Sequence, residues 1–228
     1  MSDRFRITAA LRTPVIITSY GTLDGLLAAI LFDNLGDVDA AHAQVPLVST
    51  DGLFHASAAR LINASREVPV GFIAGLRTDH DLPLGVVARN KAGDGPHTKP
   101  GPKRRREFGN VSNNYFAWAA TAIEWTAEGD GDAVFDLLQE VTSIGKRRGS
   151  GWGDVMGWHI ELANDNGVVD DMGSVLRPVP VGVLGESNAI VADAAWKPAY
   201  RAICYVPSPE SRGFLRLKPE ETAMTTTS

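Results

Sequence analysis

Nine consecutive residues carry the clearest chemistry: Gly145, Lys146, Arg147, Arg148, Gly149, Ser150, Gly151, Trp152 and Gly153. Glycines at this density let the backbone take positive φ and let another molecule approach the main chain closely. Lys146, Arg147 and Arg148 supply positive charge, amides beside the glycines can meet phosphate oxygens, and Trp152 offers a flat indole face. This combination suits a polyanion that carries bases. A generous connection with a few solvated charges fits the same residues.

Familiar phosphate and nucleophile motifs do not account for the stretch. The lysine comes too early for a P-loop, and the glycines follow a helix pattern and open a strand pattern, the reverse of a dinucleotide fingerprint. Gly149-Ser150-Gly151 lacks the spacing of a nucleophile elbow. The histidines, His42, His55, His80, His97 and His159, show no metal-ligand spacing. His159 falls in a strand pattern and reads as half-buried and structural. Asp37, Asp39, Asp170 and Asp171 read as solvated or capping acids in turns. Cys204 is alone, which excludes a disulfide framework and a cysteine-rich metal site. No cofactor or metal is expected.

Charge is distributed unevenly. The net charge is −5, yet Arg89 to Arg106 holds seven cations against one acid, Asp94. That cluster ends in Lys103, Arg104, Arg105 and Arg106. With Lys146 to Arg148 it accounts for ten of the 22 basic residues, leaving twelve cations against 26 acids elsewhere. A basic patch on an acidic body is an electrostatic footprint for a polyanion; a solvated charge run is the alternative. The sequence shows no secretory pattern and no apolar run long enough to span a membrane, so a soluble, cytoplasmic protein is expected.

Several elements must position these groups. Phe5, Ile7, Ala9 and Leu11 alternate with polar residues and predict a half-buried strand. Leu23, Leu26, Leu27, Ile30 and Leu31 predict a helix with Thr22 as N-cap, Asp24 in the dipole-favoured first turn, and a stop at 34–36. Residues 40–48 are ambiguous around Pro46, 50–52 read as a turn, and 53–62 fit a short helix or a strand. Val68–Ala74 predicts a strand.

Residues 77–114, rich in proline and glycine, predict an inserted basic excursion with hairpin strands near 85–90 and 107–112. An aromatic-rich segment follows at 113–125; its rings suit a core or an interface, and exposed ones suit base stacking. Asp130 to Asp132 then cap a second helix whose face is Val134, Leu137, Leu138, Val141 and Ile144, with Gly145 as its C′ residue. Val155–Leu162 predicts a strand. Residues 164–167 read as a turn, 175–184 and 201–206 as short strands, and 220–228 as a frayed tail. The element order predicts an α+β, ferredoxin-like (RRM-like) fold with a long basic insertion, a glycine-rich loop and a short β-rich C-terminal part. One domain is expected over 1–206, with 77–114 inserted and 207–228 as a C-terminal extension.

A glycine-rich loop between the second helix and the last strand of such a fold resembles the RAMP superfamily of CRISPR proteins. The resemblance extends to Ser19-Tyr20-Gly21-Thr22-Leu23-Asp24-Gly25-Leu26-Leu27-Ala28, to Val45-Pro46-Leu47, to Phe54-His55-Ala56-Ser57-Ala58, and to the run from Ile144 through Gly153. Together these look like the small backbone subunit of type IV CRISPR effector complexes, over residues 5–206.

The resemblance implies a non-catalytic RNA-binding subunit that caps the guide at its 5′ handle. It also implies packing against the first repeated backbone subunit and against the large subunit near the target DNA. The glycine-rich loop would lie along the handle, and the 77–114 excursion would be a thumb-like insertion reaching across guide or target. Lys103, Arg104, Arg105, Arg106, Lys146, Arg147 and Arg148 would neutralise phosphates. Gly149, Ser150, Gly151 and Gly153 would present the backbone, and Trp152 would stack on a base or wedge the loop. RAMP nucleases often carry a histidine near the first helix, and residues 22–34 contain none. His42, just beyond, and His97 keep a metal-independent endoribonuclease as the alternative. A protein-interaction module for an acidic partner is the third reading.

Overall fold

The alternation of Phe5, Ile7, Ala9 and Leu11 becomes the buried side of β1 (Asp3–Leu11). The structure is a computed structural model that describes residues 3–17, 20–65, 67–74, 111–197 and 200–214. It is a mixed α/β protein built mainly from antiparallel sheets. The chain divides into two compact units, Met1–Val68 with Phe116–Ser228, and Pro69–Tyr115.

In the larger unit, β1 is a central strand. It pairs antiparallel with β7 (Ala122–Gly129) on one side and β8 (Val155–Leu162) on the other, and β4 (Arg60–Ile62) adds to the far edge of β7. The order across the sheet is β4-β7-β1-β8. Ile7 sits opposite Trp125, and Ala9 opposite Ile123. These inward side chains pack beneath α1 (Leu23–Leu35) and α3 (Gly131–Leu138), which contribute Leu23, Leu27, Val134 and Leu138 to the core. The opposite face is laced by cross-strand ion pairs: Arg4 with Glu128, Arg6 with Glu124 and Glu161, and Arg60 with Glu124.

Between α1 and β4 lie α2 (Val38–Ala43) and the two-residue strands β2 (Ser49–Thr50) and β3 (Leu53–Phe54). The ambiguous 40–48 segment thus begins inside a helix, whose N-cap Asp37 accepts a hydrogen bond from the Ala40 amide at 2.7 Å. The 53–62 segment is two strands, β3 and β4, rather than a helix. A smaller sheet follows β8, in the order β10 (Ile190–Lys197), β11 (Tyr200–Val206), β9 (Val179–Pro180). Of the strand expected over 175–184 only β9 forms, because the chain turns at Val181–Leu184 into a single helical turn, α4. β10 went unanticipated, since its Ala-Asp-Ala-Ala centre has weak strand preference; pairing with β11 forms it. Beyond β11, Phe214 packs edge-on against Trp118 at 4.9 Å, and the Leu61 amide donates to Arg212 O at 2.9 Å.

In the smaller unit, β5 (Val68–Ala74) pairs with β6 (Val111–Ala117), and Phe72 meets Tyr115 at 5.8 Å. β6 and β7 together occupy most of the expected 113–125 aromatic segment. Lys103, Arg104, Arg105, Arg106, His80, His97 and the expected strand at 85–90 lie outside the described residues, as does the first part of the one at 107–112.

Candidate nucleic-acid interface

The second helix stops earlier than its apolar spacing predicts. It ends at Leu138, and Gly145 is therefore not its C′ residue. Residues 142–144 instead pair with the far end of the glycine-rich loop. The Ile144 amide donates to Gly153 O at 2.8 Å and the Val155 amide to Thr142 O at 2.9 Å. This ladder competes with helix continuation across Thr142 and Ser143, which are poor helix formers. Val141 and Ile144 still pack on the core, so their burial survives the change of conformation.

The base of the loop is fastened to the segment after β1. Lys146 N donates to Ile16 O at 2.8 Å, Gly153 N to Pro14 O at 2.9 Å, and Asp154 N to Thr13 Oγ1 at 2.9 Å. Gly145 and Gly153 have φ of 86° and 70°, and a Cβ at either would collide with a carbonyl, Ile16 O or Ile144 O. Those two glycines serve internal packing. At the tip, a single 3-10 turn spans Arg148–Ser150, entered through Arg147 at φ 61°. Around Gly149 and Gly151 nothing comes within 4 Å of a Cβ position, so the backbone there is open to an approaching molecule.

Beside the loop base lies a cleft of about 610 Å³. The loop contributes Gly145, Lys146 and Arg148 to its lining. The second sheet contributes Lys197, Arg201 and Asp193, and the chain entering α1 contributes Tyr20, Gly21, Thr22 and Gly25. Ile16, Ile17, Leu26 and Ala29 make the lining apolar between them. Arg148 is exposed. The Lys197 ammonium stands 5.4 Å from the Tyr200 ring centre, and Arg201 holds Asp193 at 3.1 Å. The cleft thus joins an apolar lining to four cations, Lys146, Arg148, Lys197 and Arg201, and one acid, Asp193, near the positive end of the α1 dipole.

The start of that helix is as expected, with Thr22 at the N-cap and Asp24 in the first turn. The Thr22 side chain makes no capping hydrogen bond. Asp24 is fully buried and bound by Arg177 Nη2 at 3.1 Å. With that partner available in the interior, the carboxylate turns inward and does not line the cleft.

Of the sequence-derived loop residues, Lys146 and Arg148 line the cleft with Gly145, while Arg147 and Trp152 are half-buried in the loop and do not. Gly149, Ser150 and Gly151 form the exposed tip. Tyr20, Lys197 and Arg201 were missed. Lys197 and Arg201 stand four apart in sequence, an ordinary surface spacing, and only the β10–β11 pairing turns them toward the loop.

Tyr20 is held from behind. The Arg212 guanidinium lies 4.9 Å from its ring centre and 4.5 Å from that of Phe214, and donates to Tyr20 O at 2.8 Å and Ala59 O at 3.0 Å. Burial raises the Tyr20 phenol above its ordinary pKa, an effect that nearby Arg212 opposes. Burial also raises the Cys204 thiol, and Asp193 adds to the shift.

The histidines are dispersed. His42 is buried in the last turn of α2, His55 contacts Thr50 Oγ1 at 3.0 Å and Glu128 at 3.3 Å, and His159 is exposed, contrary to its expected half-burial. β8 is an edge strand, and His159 lies on its solvent side beside Glu161. Among the described residues, no three His, Cys, Asp or Glu side chains gather as a metal site, and no helix is long and apolar enough to cross a membrane.

No protein-family model matches the chain, and no curated protein matches it.

Proposed function

We propose that this chain is the non-catalytic RNA-binding subunit of a type IV CRISPR ribonucleoprotein, a cytoplasmic complex, where it holds the 5′ handle of the guide and caps the backbone filament. The observation that carries this reading is the cleft at the glycine-loop base, whose largely apolar lining includes Lys146, Arg148, Lys197 and Arg201. Backbone open at Gly149 and Gly151, next to these cations, suits close phosphate contact.

The topology supports the same reading. The order β4-β7-β1-β8, with α1 between β1 and β4 and α3 between β7 and β8, fits a ferredoxin-like, RAMP-type arrangement. The repeated backbone subunit, the large subunit and target DNA are the remaining partners of this reading.

The test is to co-express the protein with its neighbouring genes and a repeat array and to sequence the RNA that co-purifies. Guides of uniform length sharing one 5′ handle are expected, and they disappear when Lys146, Arg147 and Arg148 become alanine. Random fragments, or no RNA, would overturn the assignment.

A further inference from the structure

Tyr20 borders two cavities. One is the cationic cleft, and the other, of about 600 Å³, is lined by Ile17, Trp118, Val206, Arg212 and Phe214. Arg212 lines only the second, with its guanidinium 4.9 Å from the Tyr20 ring centre, and Tyr20 also packs against the cluster of Ala194, Cys204 and Val206. The stack continues from Arg212 to Phe214 and on to Trp118, which is buried in the core. A ring braced in this way needs little ordering when a ligand arrives.

An aromatic residue in the lining of an apolar cleft that also holds Lys146, Arg148, Lys197 and the Asp193-paired Arg201 matches the two halves of a nucleotide. A base has an apolar face that stacks on aromatic rings whatever its identity, and a phosphate pairs with Lys or Arg. The cleft lies within the roughly 300–1,000 Å³ usual for small-ligand sites. We propose that it takes one unstacked nucleotide of a bound single strand, with its base on the Tyr20 ring and its flanking phosphates on Lys146 and Arg148 on one side and Lys197 and Arg201 on the other. This rests on the reading above that the cleft side of the protein binds single-stranded RNA. Tyr20 is then a binding residue, and Arg212 is a positioning residue acting through it.

The test uses the full chain and short oligoribonucleotides carrying 2-aminopurine at successive positions, titrated at low salt. One position is quenched on binding to the wild type. Tyr20→Leu abolishes that quenching and weakens binding about tenfold, the scale of one lost stacking contact, while leaving the salt dependence unchanged. Tyr20→Phe and Tyr20→Trp retain both quenching and affinity, which separates the ring's role from a folding defect. Binding with no position quenched, or quenching that persists in Tyr20→Leu, overturns the stacking site and leaves the RNA-binding function standing. Adenosine monophosphate binding as tightly as the oligonucleotide overturns the strand assignment in favour of a free-nucleotide site. Absence of any oligonucleotide binding overturns both proposals.

Discussion

Arg177 holds Asp24 in a fully buried ion pair across 153 positions of sequence, Nη2 to Oδ2 at 3.1 Å. The same guanidinium donates to the backbone carbonyls of Phe54, Ala56 and Trp196. One side chain therefore ties α1, the segment around β3 and strand β10 together. Because α1 and β10 both contribute lining residues to the cleft, this side chain links two of the elements that shape it.

Removing one partner strands a buried charge. Arg177→Met is expected to cost about 3–5 kcal/mol in urea unfolding, and Asp24→Leu a similar amount. The double variant should lose less than the sum of the two, because neither charge is then left alone. Strict additivity would show that the pair contributes no coupling.

Cys204 has no exposed surface, and burial and Asp193 both raise its thiol pKa. Native protein should resist a thiol reagent and react fully in denaturant. In Arg177→Met, where the link to β10 is lost, labelling should accelerate under native conditions. An equal rate in both proteins would show that Arg177 does not hold the second sheet closed.

The glycines of the loop should separate by position. Gly153→Ala meets Ile144 O at a positive φ and is expected to lose at least about 1–2 kcal/mol from backbone conformation alone, before the collision is counted. Gly149→Ala has open space and should stay within about 0.5 kcal/mol of the wild type. Thermal unfolding compares the two, and equal losses would contradict the division between base and tip.

The two walls of the cleft should contribute separately to RNA affinity. Each phosphate contact adds about 0.7 to the slope of log affinity against log salt for a single strand. Lys197→Ala with Arg201→Ala should therefore flatten the slope by about 1.4, as should Lys146→Ala with Arg148→Ala. A slope that responds only to the loop pair would remove the second sheet from the interface.

Tyr20 should leave a mark at alkaline pH. Its folded pKa lies above the unfolded value near 10, so its contribution to stability is complete below about pH 10 and is lost as pH rises through the folded value. The stability difference between wild type and Tyr20→Phe should shrink over that interval. A difference that grows with pH would mean that the attraction of Arg212 for the phenolate outweighs burial.

Much of the frame was legible in sequence because its signals are periodic and local. The alternation from Phe5 to Leu11, the spacing from Leu23 to Leu31, and the capping acid Asp130 each express a geometry that neighbouring residues suffice to define. The second helix departs from its spacing at the end: Ile144 keeps the helical spacing and is buried, yet reaches the core from a ladder with residues 153–155. Apolar spacing reports which residues go inside, and a competing backbone partner decides the conformation that takes them there.

By itself the sequence determined the strand and helix faces, the glycine-rich run and the clustering of its cations, since all of these depend on residues close in the chain. Only the tertiary structure decided that Asp24 turns inward to Arg177, that Lys197 and Arg201 line one cleft with Lys146 and Arg148, and that Arg212 lies against the Tyr20 ring. Each of these unites residues about fifty or more positions apart. Their meeting depends on how sheets and helices pack, which no local pattern encodes.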